Sequence, residues 1–519
     1  MTGFRKKVLW VDDEIERLRA HILFLETRGY TVVPVFSGDD AIQLVKEQPD
    51  DFDIVLLDEQ MPGKDGLTTL EEIKAIRPDL PVVMVTKSEE ENVMEQALGK
   101  KIDGYLTKPV NPSQILIICK RLLDSKQFIA AEVKQRFLRN FSENATALRG
   151  HLGTQEWTRL YENLARWDAE LDTIDDEGIR QTHAGQKSIA NAAFSEFIID
   201  RYGNWVKGEN KPPVLSVGAM EKYVDPLLRD SEPVYLIIIS GMRLDQYIGI
   251  EDTVRRYFKI QRNYFYSILP TSPRFARSAF FSGCFPDEIA GKYPDDWKKI
   301  ETDRELSTDM QQSLIKDHMS IATIALPGGF ACVPMTENET FHTEIDKHNG
   351  KKLTVIVADF VHLLTGTGSQ SAIAQEIAPD DRALRSITRA WFEHSSLLQL
   401  LKKLSAKKCT VVLTSDHGTV YCALKTEVYG VRQLERGYRY RFGRDIRVDS
   451  RHVVELNDAK HYRLPSNKKT PQCIIAKENY YFTLPENFKE YHHENRNSFQ
   501  QGGISMEEMI VPIGIFTPL

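Results

Sequence analysis

The sequence predicts an α/β protein with a doubly wound parallel sheet at the front, a helical segment in the middle and a larger α/β module behind. Three observations predict this. Short apolar runs, VLWV (8–11), TVVPV (31–35), DIVLL (53–57), PVVMV (81–85) and GYLT (104–107), alternate with amphipathic stretches such as EIERLRAHILFLETRG and DDAIQLVKEQ. From about residue 124 to 208, apolar residues recur every three or four positions with no strand pattern. After residue 212 strand-like runs return at 233–240, 258–268, 320–326, 353–359 and 409–415.

A buried apolar run followed each time by a helix is the pattern of parallel strands, because successive parallel strands need a crossover and the crossover helices cover both faces. At about 150 residues per domain, 519 residues make roughly three domains. The pattern changes place them at 4–123, 124–211 and 212–519. Hydrophobic residues at 41% and charged residues at 27% supply ordinary globular cores and exclude a mostly disordered chain. A net charge of −7 argues against a general nucleic-acid coat. No apolar run approaches the ~18 residues of a membrane span. The N-terminal MTGFRKKVLWVDDE has no signal-peptide core. The six cysteines, 119, 284, 332, 409, 422 and 473, form no CxxC pair and read as reduced thiols of a cytoplasmic protein.

In a doubly wound sheet, chemistry gathers at the carboxyl ends of the strands. The first strand ends in Asp12 and Asp13, the third in Asp58, the fourth in Thr86 and the fifth in Thr107-Lys108-Pro109. Three carboxylates converging on one crevice repel each other unless a cation joins them, and a hard ion with oxygen ligands, Mg²⁺, suits them. Lys108 and Thr86 would then hold the oxygens of a phosphoryl group carried by the central carboxylate, an established nucleophile.

The blocks VLWVDDE, LLDEQMPGKDG, VVMVT and YLTKP resemble a two-component receiver domain, which implies a flavodoxin-like fold. The resemblance implies that Asp58 is the phosphoacceptor and that Asp12, Asp13, Asp58 and the Gln60 carbonyl hold Mg²⁺. It further implies that Thr86 and Lys108 read the phosphoryl group and that Tyr105 is the aromatic switch.

The middle segments KQFIAAEVKQRFLRNF, TQEWTRLYENLARWDAEL and KSIANAAFSEFIIDRYGNWV read as a helical-bundle linker. Trp157, Tyr161, Trp167, Phe197, Tyr202 and Trp205 are placed in its core, a dimer surface being the other use for part of them. PPVLSVG (212–218) reads as the exit linker.

Farther on, YLIIISGMRLDQY, SILPTSPRFARSAFFSG, AWFEHSSLLQLLKKL, VVLTSDHGT and QQGGISMEEMIVP resemble the PglZ domain, a branch of the alkaline phosphatase superfamily. The whole order of modules resembles response regulators linked to type IX protein secretion. The resemblance implies a two-zinc clamp for phosphoryl displacement, each metal with about three protein ligands. At the nucleophile-side zinc, Asp416 and His417 keep two ligand positions, while the third, an Asp in the family, falls on Ser240. The nucleophile, a Thr in the family, falls on Pro273. At the other zinc the positions fall on His362, Gly366 and Gln501. Proline has no hydroxyl to attack phosphorus, and serine and amide groups are poor zinc ligands. The sequence therefore leaves at most a partial zinc site, and hydrolysis is not expected.

Three substitutions could mend the site: Thr271 or Ser272 as nucleophile, a shifted Asp359/His362 pair, or His492 and His493 in place of the imidazole lost at Gln501. Against the first, Ser-Pro before RFARSAFF reads as an N-cap followed by proline at the first helical position. A second feature is VRQLERGYRYRFGRDIR (431–447), where Arg436, Arg439, Arg441 and Arg444 lie among Tyr438, Tyr440 and Phe442. Arginine forks pair with phosphate and aromatic rings stack on bases, so the segment is a candidate nucleotide contact, the alternative being a hairpin with solvated arginines.

Together these observations predict a cytoplasmic response regulator with a degenerate PglZ effector acting by binding and dimerisation. Phosphorylation at Asp58 is expected to change the face near Tyr105 and bias homodimerisation through that face or the bundle, and the resemblance implies a sensor histidine kinase and a sigma factor or secretion-system component downstream. Two rival functions stay open: a zinc phosphodiesterase acting on nucleotides or oligonucleotides, and a DNA-binding regulator, against which stand the acidic charge and the lack of a helix-turn-helix pattern.

Overall fold

A computed structural model describes residues 6–87, 102–123, 125–303, 306–337, 340–364, 371–431, 438–466, 470–486, 492 and 495–519. The chain divides into two compact units, residues 1–136 and 137–519.

In the first unit β1 (Lys6–Val11), β2 (Tyr30–Val35), β3 (Ile54–Asp58), β4 (Val82–Thr86) and β5 (Gly104–Thr107) form one parallel sheet. Its strand order is β2-β1-β3-β4-β5, the flavodoxin-like order, with the switch point between β1 and β3. Alternation within β1 explains its two-sided burial: Val8 and Trp10 face one layer, Leu9 and Val11 the other. The helix Gly38–Glu47 is capped by Ser37, and the helix Gly66–Ile76 by Asp65, which accepts the Thr68 N–H at 2.7 Å. Glycine is required at position 66, because a Cβ there would run into the carbonyl of Asp58.

The second unit is built on a mixed sheet. Its strands are β6 (Val234–Ile239), β7 (Phe258–Tyr266), β8 (Phe330–Pro334), β9 (Leu353–Ala358), β10 (Thr410–Thr414) and a C-terminal strand, Ile510–Pro518. The order is β7, C-terminal strand, β10, β6, β9, β8. The last four run parallel, and the C-terminal strand is antiparallel to both of its neighbours. Every residue of β6, β9 and β10 is buried, as befits parallel strands covered on both faces.

Two segments differ from the sequence expectation. SIATIAL (320–326) is not a strand: the helix Thr308–Ile321 takes its first residues, Ile321 is 68% exposed and Thr323 has a φ of 53°. The strand beside β9 is instead β8, where Ala331, Cys332 and Val333 are buried. Apolar content alone did not separate a helix end from a strand. PPVLSVG is partly helical, since the helix Ser216–Tyr223 begins inside it and Ser216 accepts the N–H of Ile268 at 3.1 Å.

The helices Thr154–Leu171 and Glu177–Trp205 share one apolar core with the α/β module. Trp157, Tyr161, Tyr202 and Trp205 are buried there, Trp167 is buried as well, and Phe197 is half-buried. Tyr202 accepts the N–H of Leu269 at 2.8 Å, Tyr266 donates to the carbonyl of Thr154 at 2.8 Å, and Arg385 grips both oxygens of Asp172 at 2.8 Å. Among the described residues no helix is long and apolar enough to cross a membrane.

Candidate functional site

At the carboxyl end of the first unit's sheet, one oxygen from each of Asp12, Asp13 and Asp58 lies within 4.8 Å of the others. Asp12 and Asp58 are buried and Asp13 is exposed, so the cluster opens to solvent on one side. Lys108 donates through Nζ to Asp12 and to Asp58, each at 2.8 Å. Asp12 also accepts the N–H of Glu14 at 2.9 Å. Burial pushes the Asp58 carboxyl above the usual carboxylate range, and the Asp12 charge adds to this while Lys108 opposes it. Burial disfavours the Lys108 ammonium, but its bonds to Asp12 and Asp58 outweigh that and hold its pKa above the ordinary lysine value. One ammonium cannot balance three carboxylates, and the all-oxygen donor set fits Mg²⁺. Gln60 stands on the same rim, in a cleft lined also by Asp13, Glu59 and Asp65.

Thr86 is fully buried at the end of β4, and its hydroxyl donates to Glu59. The sequence reasoning missed Glu59, although it directly follows Asp58. Tyr105 is half-buried on β5 and packs against the core layer containing Leu57 and Met84.

In the second unit, Asp416 and His417 follow β10 and Ser240 follows β6, so the parallel neighbours bring them together. Asp416 is 0% exposed. Its Oδ2 accepts from Ser240 Oγ at 3.2 Å and from Arg277 Nε at 2.8 Å. Its Oδ1 accepts the N–H groups of Gly241 at 3.2 Å and His417 at 3.0 Å. Arg277 also donates to Asp359 at 3.0 Å. Burial works against the Asp416 charge, and the neighbouring His417 and Arg277 outweigh it and hold the carboxyl well below its usual range. His417 donates through Nδ1 to the Gly418 carbonyl at 2.8 Å, which leaves Nε2 buried without a hydrogen bond, 3.7 Å from Asp416 Oδ1. Burial lowers the pKa of both His417 and His362. Both amide atoms of Gln501 are buried without a hydrogen bond.

A family model described as the BREX system PglZ alkaline phosphatase-like domain matches residues 219–516, more than half of the chain. The chain belongs to the PglZ family. A response regulator receiver domain model matches residues 8–120, and a PorX response regulator linker domain model matches residues 127–206. Receiver, linker and PglZ module in this order make the architecture that of a two-component response regulator, and receiver domains bind Mg²⁺ at an acidic pocket such as Asp12, Asp13 and Asp58 form. Over 117 residues the chain is 33% identical to the transcriptional regulatory protein ResD of Bacillus subtilis (strain 168), covering 22% of this chain and 48% of that protein. Over 132 residues it is 34% identical to the transcriptional regulatory protein ZraR of Escherichia coli (strain K12), covering 25% of this chain and 30% of that one. The chain thus spans half or less of the length of these curated relatives. Among solved structures, a CheY-like receiver domain protein from Methanospirillum hungatei JF-1 matches at 29% identity and a TM-score of 0.23, over 24% of this chain and 96% of that one. A receiver domain protein from Clostridium thermocellum matches at 28% identity and a TM-score of 0.23, over 24% and 98%.

The zinc pair implied for the PglZ module does not fit the residues present. The Asp416 carboxylate already accepts from Ser240, Arg277, Gly241 and His417, and more distantly from the Ser415 hydroxyl at 3.4 Å, so its acceptor directions are taken. Pro273, where the resemblance would put the nucleophile, begins a short helical turn, Pro273–Arg277. Ser272 holds the cap position before it, yet its hydroxyl makes no capping bond. The hydroxyl of Thr271 is engaged, donating to the Gly503 carbonyl at 2.9 Å and accepting the Gly502 N–H at 3.1 Å. Asp359 pairs with Arg277, and Nδ1 of His492 lies 2.7 Å from the hydroxyl of Tyr481. Gly366 and His493 lie outside the described residues.

The arginine-rich segment is corrected in part. Arg439 is fully buried, with Nη1 on Glu508 at 2.6 Å and further bonds to the carbonyls of Ala476, Lys477, Glu478 and Tyr480. It is a core cation, buried and held by five acceptors, and is closed to a nucleotide phosphate. Tyr440 and Phe442 pack on Phe275 at ring distances of 5.5 and 5.8 Å and do not form an open stacking platform. Arg441 is half-buried, Arg444 is exposed, and Arg436 lies outside the described residues.

Proposed function

We propose that this response regulator accepts a phosphoryl group on Asp58 from a sensor histidine kinase and passes the signal to a PglZ effector that works by binding and dimerisation, without hydrolysis. The observation that carries this is a contrast. Asp58 keeps its acidic neighbours within 4.8 Å and Lys108 at 2.8 Å, whereas Asp416 has its acceptor directions filled and no hydroxyl stands at position 273.

Asp12, Asp13, Asp58 and the Gln60 carbonyl would hold Mg²⁺, which when bound offsets the charge of the carboxylates and of the incoming phosphoryl group. An Asp58 carboxylate oxygen attacks phosphorus as the bond from phosphorus to the kinase histidine nitrogen breaks, and the histidine leaves with that electron pair. Lys108 moves with the new phosphoryl oxygens, and Thr86 turns from Glu59 toward them. Tyr105, on the strand beside Thr86, follows and changes the receiver surface, a population shift between two states. The PorX linker match supports a place in type IX secretion-related signalling, with a sigma factor or secretion-system component as target. Arg441 and Arg444 remain the nucleotide contacts within this proposal.

The test is to size the full chain with and without beryllofluoride and Mg²⁺, with zinc measured on the same sample. A larger species that requires both additions, absent in Asp58→Asn, is the expected result. An unchanged size despite beryllofluoride uptake removes the dimer switch, and no uptake overturns the receiver assignment. On the side of a zinc phosphodiesterase stands Nε2 of His417, buried without a hydrogen bond beside Asp416. Zinc-dependent turnover of a chromogenic phosphodiester, lost in Asp416→Ala, would establish that alternative.

A further inference from the structure

An acid buried without exposure needs a counter-charge, because an unpaired carboxylate in the interior costs several kcal/mol or loses its charge. In a metal-loaded phosphatase cleft a divalent ion supplies that charge. Here Asp416 meets a guanidinium. Arg277 is itself buried, with 5% of its side chain exposed, and spans Asp416 at 2.8 Å and Asp359 at 3.0 Å. The remaining directions of Asp416 are closed by Ser240, Gly241, His417 and the Ser415 hydroxyl. Ser240 stands where the resemblance places a carboxylate, so Asp416 is the one fully buried acid for Arg277 to balance, while Asp359, 42% exposed, keeps contact with solvent.

We infer that Arg277 is a built-in replacement for the nucleophile-side metal: its guanidinium occupies the coordination directions of Asp416 and keeps the PglZ cleft folded without zinc. This rests on the non-hydrolytic function proposed above. It explains how Ser240, Pro273 and Gln501 could depart from the family pattern while Asp416 and His417 stayed: the acid became one half of a core ion pair. His417 Nε2 is then a remnant ligand, and one ring nitrogen alone does not hold zinc. Arg277 is a positioning residue here, since it acts through Asp416.

Two measurements on the full chain test this. First, wild-type protein is stripped with a chelator, offered one equivalent of Zn²⁺, desalted and assayed for metal, with thermal unfolding recorded at each stage. The expected result is no uptake that Asp416→Asn removes, and the same unfolding temperature with and without chelator. A zinc retained per chain through Asp416, with unfolding lowered by chelator, overturns the inference.

Second, a double-mutant cycle uses Arg277→Met and Asp416→Asn, with Arg277→Lys as the conservative variant. Arg277→Met is expected to lower the unfolding temperature by several degrees. Asp416→Asn in the same chain should recover part of that loss, because the unpaired carboxylate is what destabilises, and Arg277→Lys should fall between. Additive effects, or an Arg277→Met as stable as wild type, overturn it. If Arg277→Met does not fold, recovery of folded protein in the double variant gives the same information. A metal-free wild type with an additive cycle sinks only the role of Arg277. A zinc-loaded wild type that turns over phosphodiester sinks the non-hydrolytic effector as well.

Discussion

Asn191 in the long helix Glu177–Trp205 clasps the tail turn of the PglZ module, donating to Glu507 at 2.9 Å and accepting the Met506 N–H at 2.8 Å. Both partners are buried. Substituting Asn191→Leu strands a carboxylate oxygen and a backbone N–H. The expected loss is about 2–4 kcal/mol, read as a lower denaturant midpoint for the second unit. Mg²⁺ binding by the first unit should not change.

Lys187 donates to Asp168 at 2.8 Å, and Nε2 of His183 lies 3.1 Å from the same carboxylate. Burial works against the Asp168 charge, but Lys187 and His183 outweigh it and hold its carboxyl well below the usual range. A depressed carboxyl contributes stability above its unfolded pKa, near 3.9, and that stability is lost as pH falls through the folded value. Unfolding temperature should therefore drop steeply below about pH 4. Asp168→Asn should be less stable at pH 7 and show a flatter acid limb, measured by calorimetry across pH.

The hydroxyl of Thr86 is held by Glu59, one residue beyond the phosphoacceptor. Reaching a phosphoryl group on Asp58 requires it to let go. Glu59→Ala should shift the receiver toward its activated state, and beryllofluoride should bind roughly 3- to 10-fold more tightly, about 0.7–1.4 kcal/mol. Equal affinity in wild type and variant would mean that the Glu59 bond costs nothing to break.

Arg439 is paired with Glu508 where neither has exposed surface. Arg439→Ala should cost about 3–5 kcal/mol, whereas Arg444→Ala at the surface should stay within about 0.5 kcal/mol. If a nucleotide binds this segment, Arg444→Ala weakens it while folding is unchanged, and isothermal titration separates the two effects.

Gly66 gives a sharper test of the phosphoacceptor's seat. A methyl group there collides with the Asp58 carbonyl. Gly66→Ala should cut labelling by a small-molecule phosphodonor about tenfold or more through misplacement of the nucleophile, with the second unit's unfolding unaltered.

The first unit could be read almost entirely in one dimension. Each of its strands is a short buried run, and in a parallel sheet every such run ends on the same rim, so Asp12, Asp13, Asp58, Thr86 and Lys108 had to meet. Local pattern and site coincide because strand direction alone sets the geometry. In the PglZ module the sequence could register losses, such as the hydroxyl missing at Pro273 and the serine at position 240, because absent chemistry is visible in a residue's identity. What took the place of the missing groups was not visible. Arg277 lies 139 residues from Asp416 along the chain, and nothing local distinguishes it from a surface arginine. The same holds for Arg439, which reads as part of a basic patch and is a core cation, and for Asn191, which meets Glu507 from 316 residues away. Periodicity reports which face of an element is apolar; which buried charge finds which partner depends on how distant segments pack, and only the folded chain settles that.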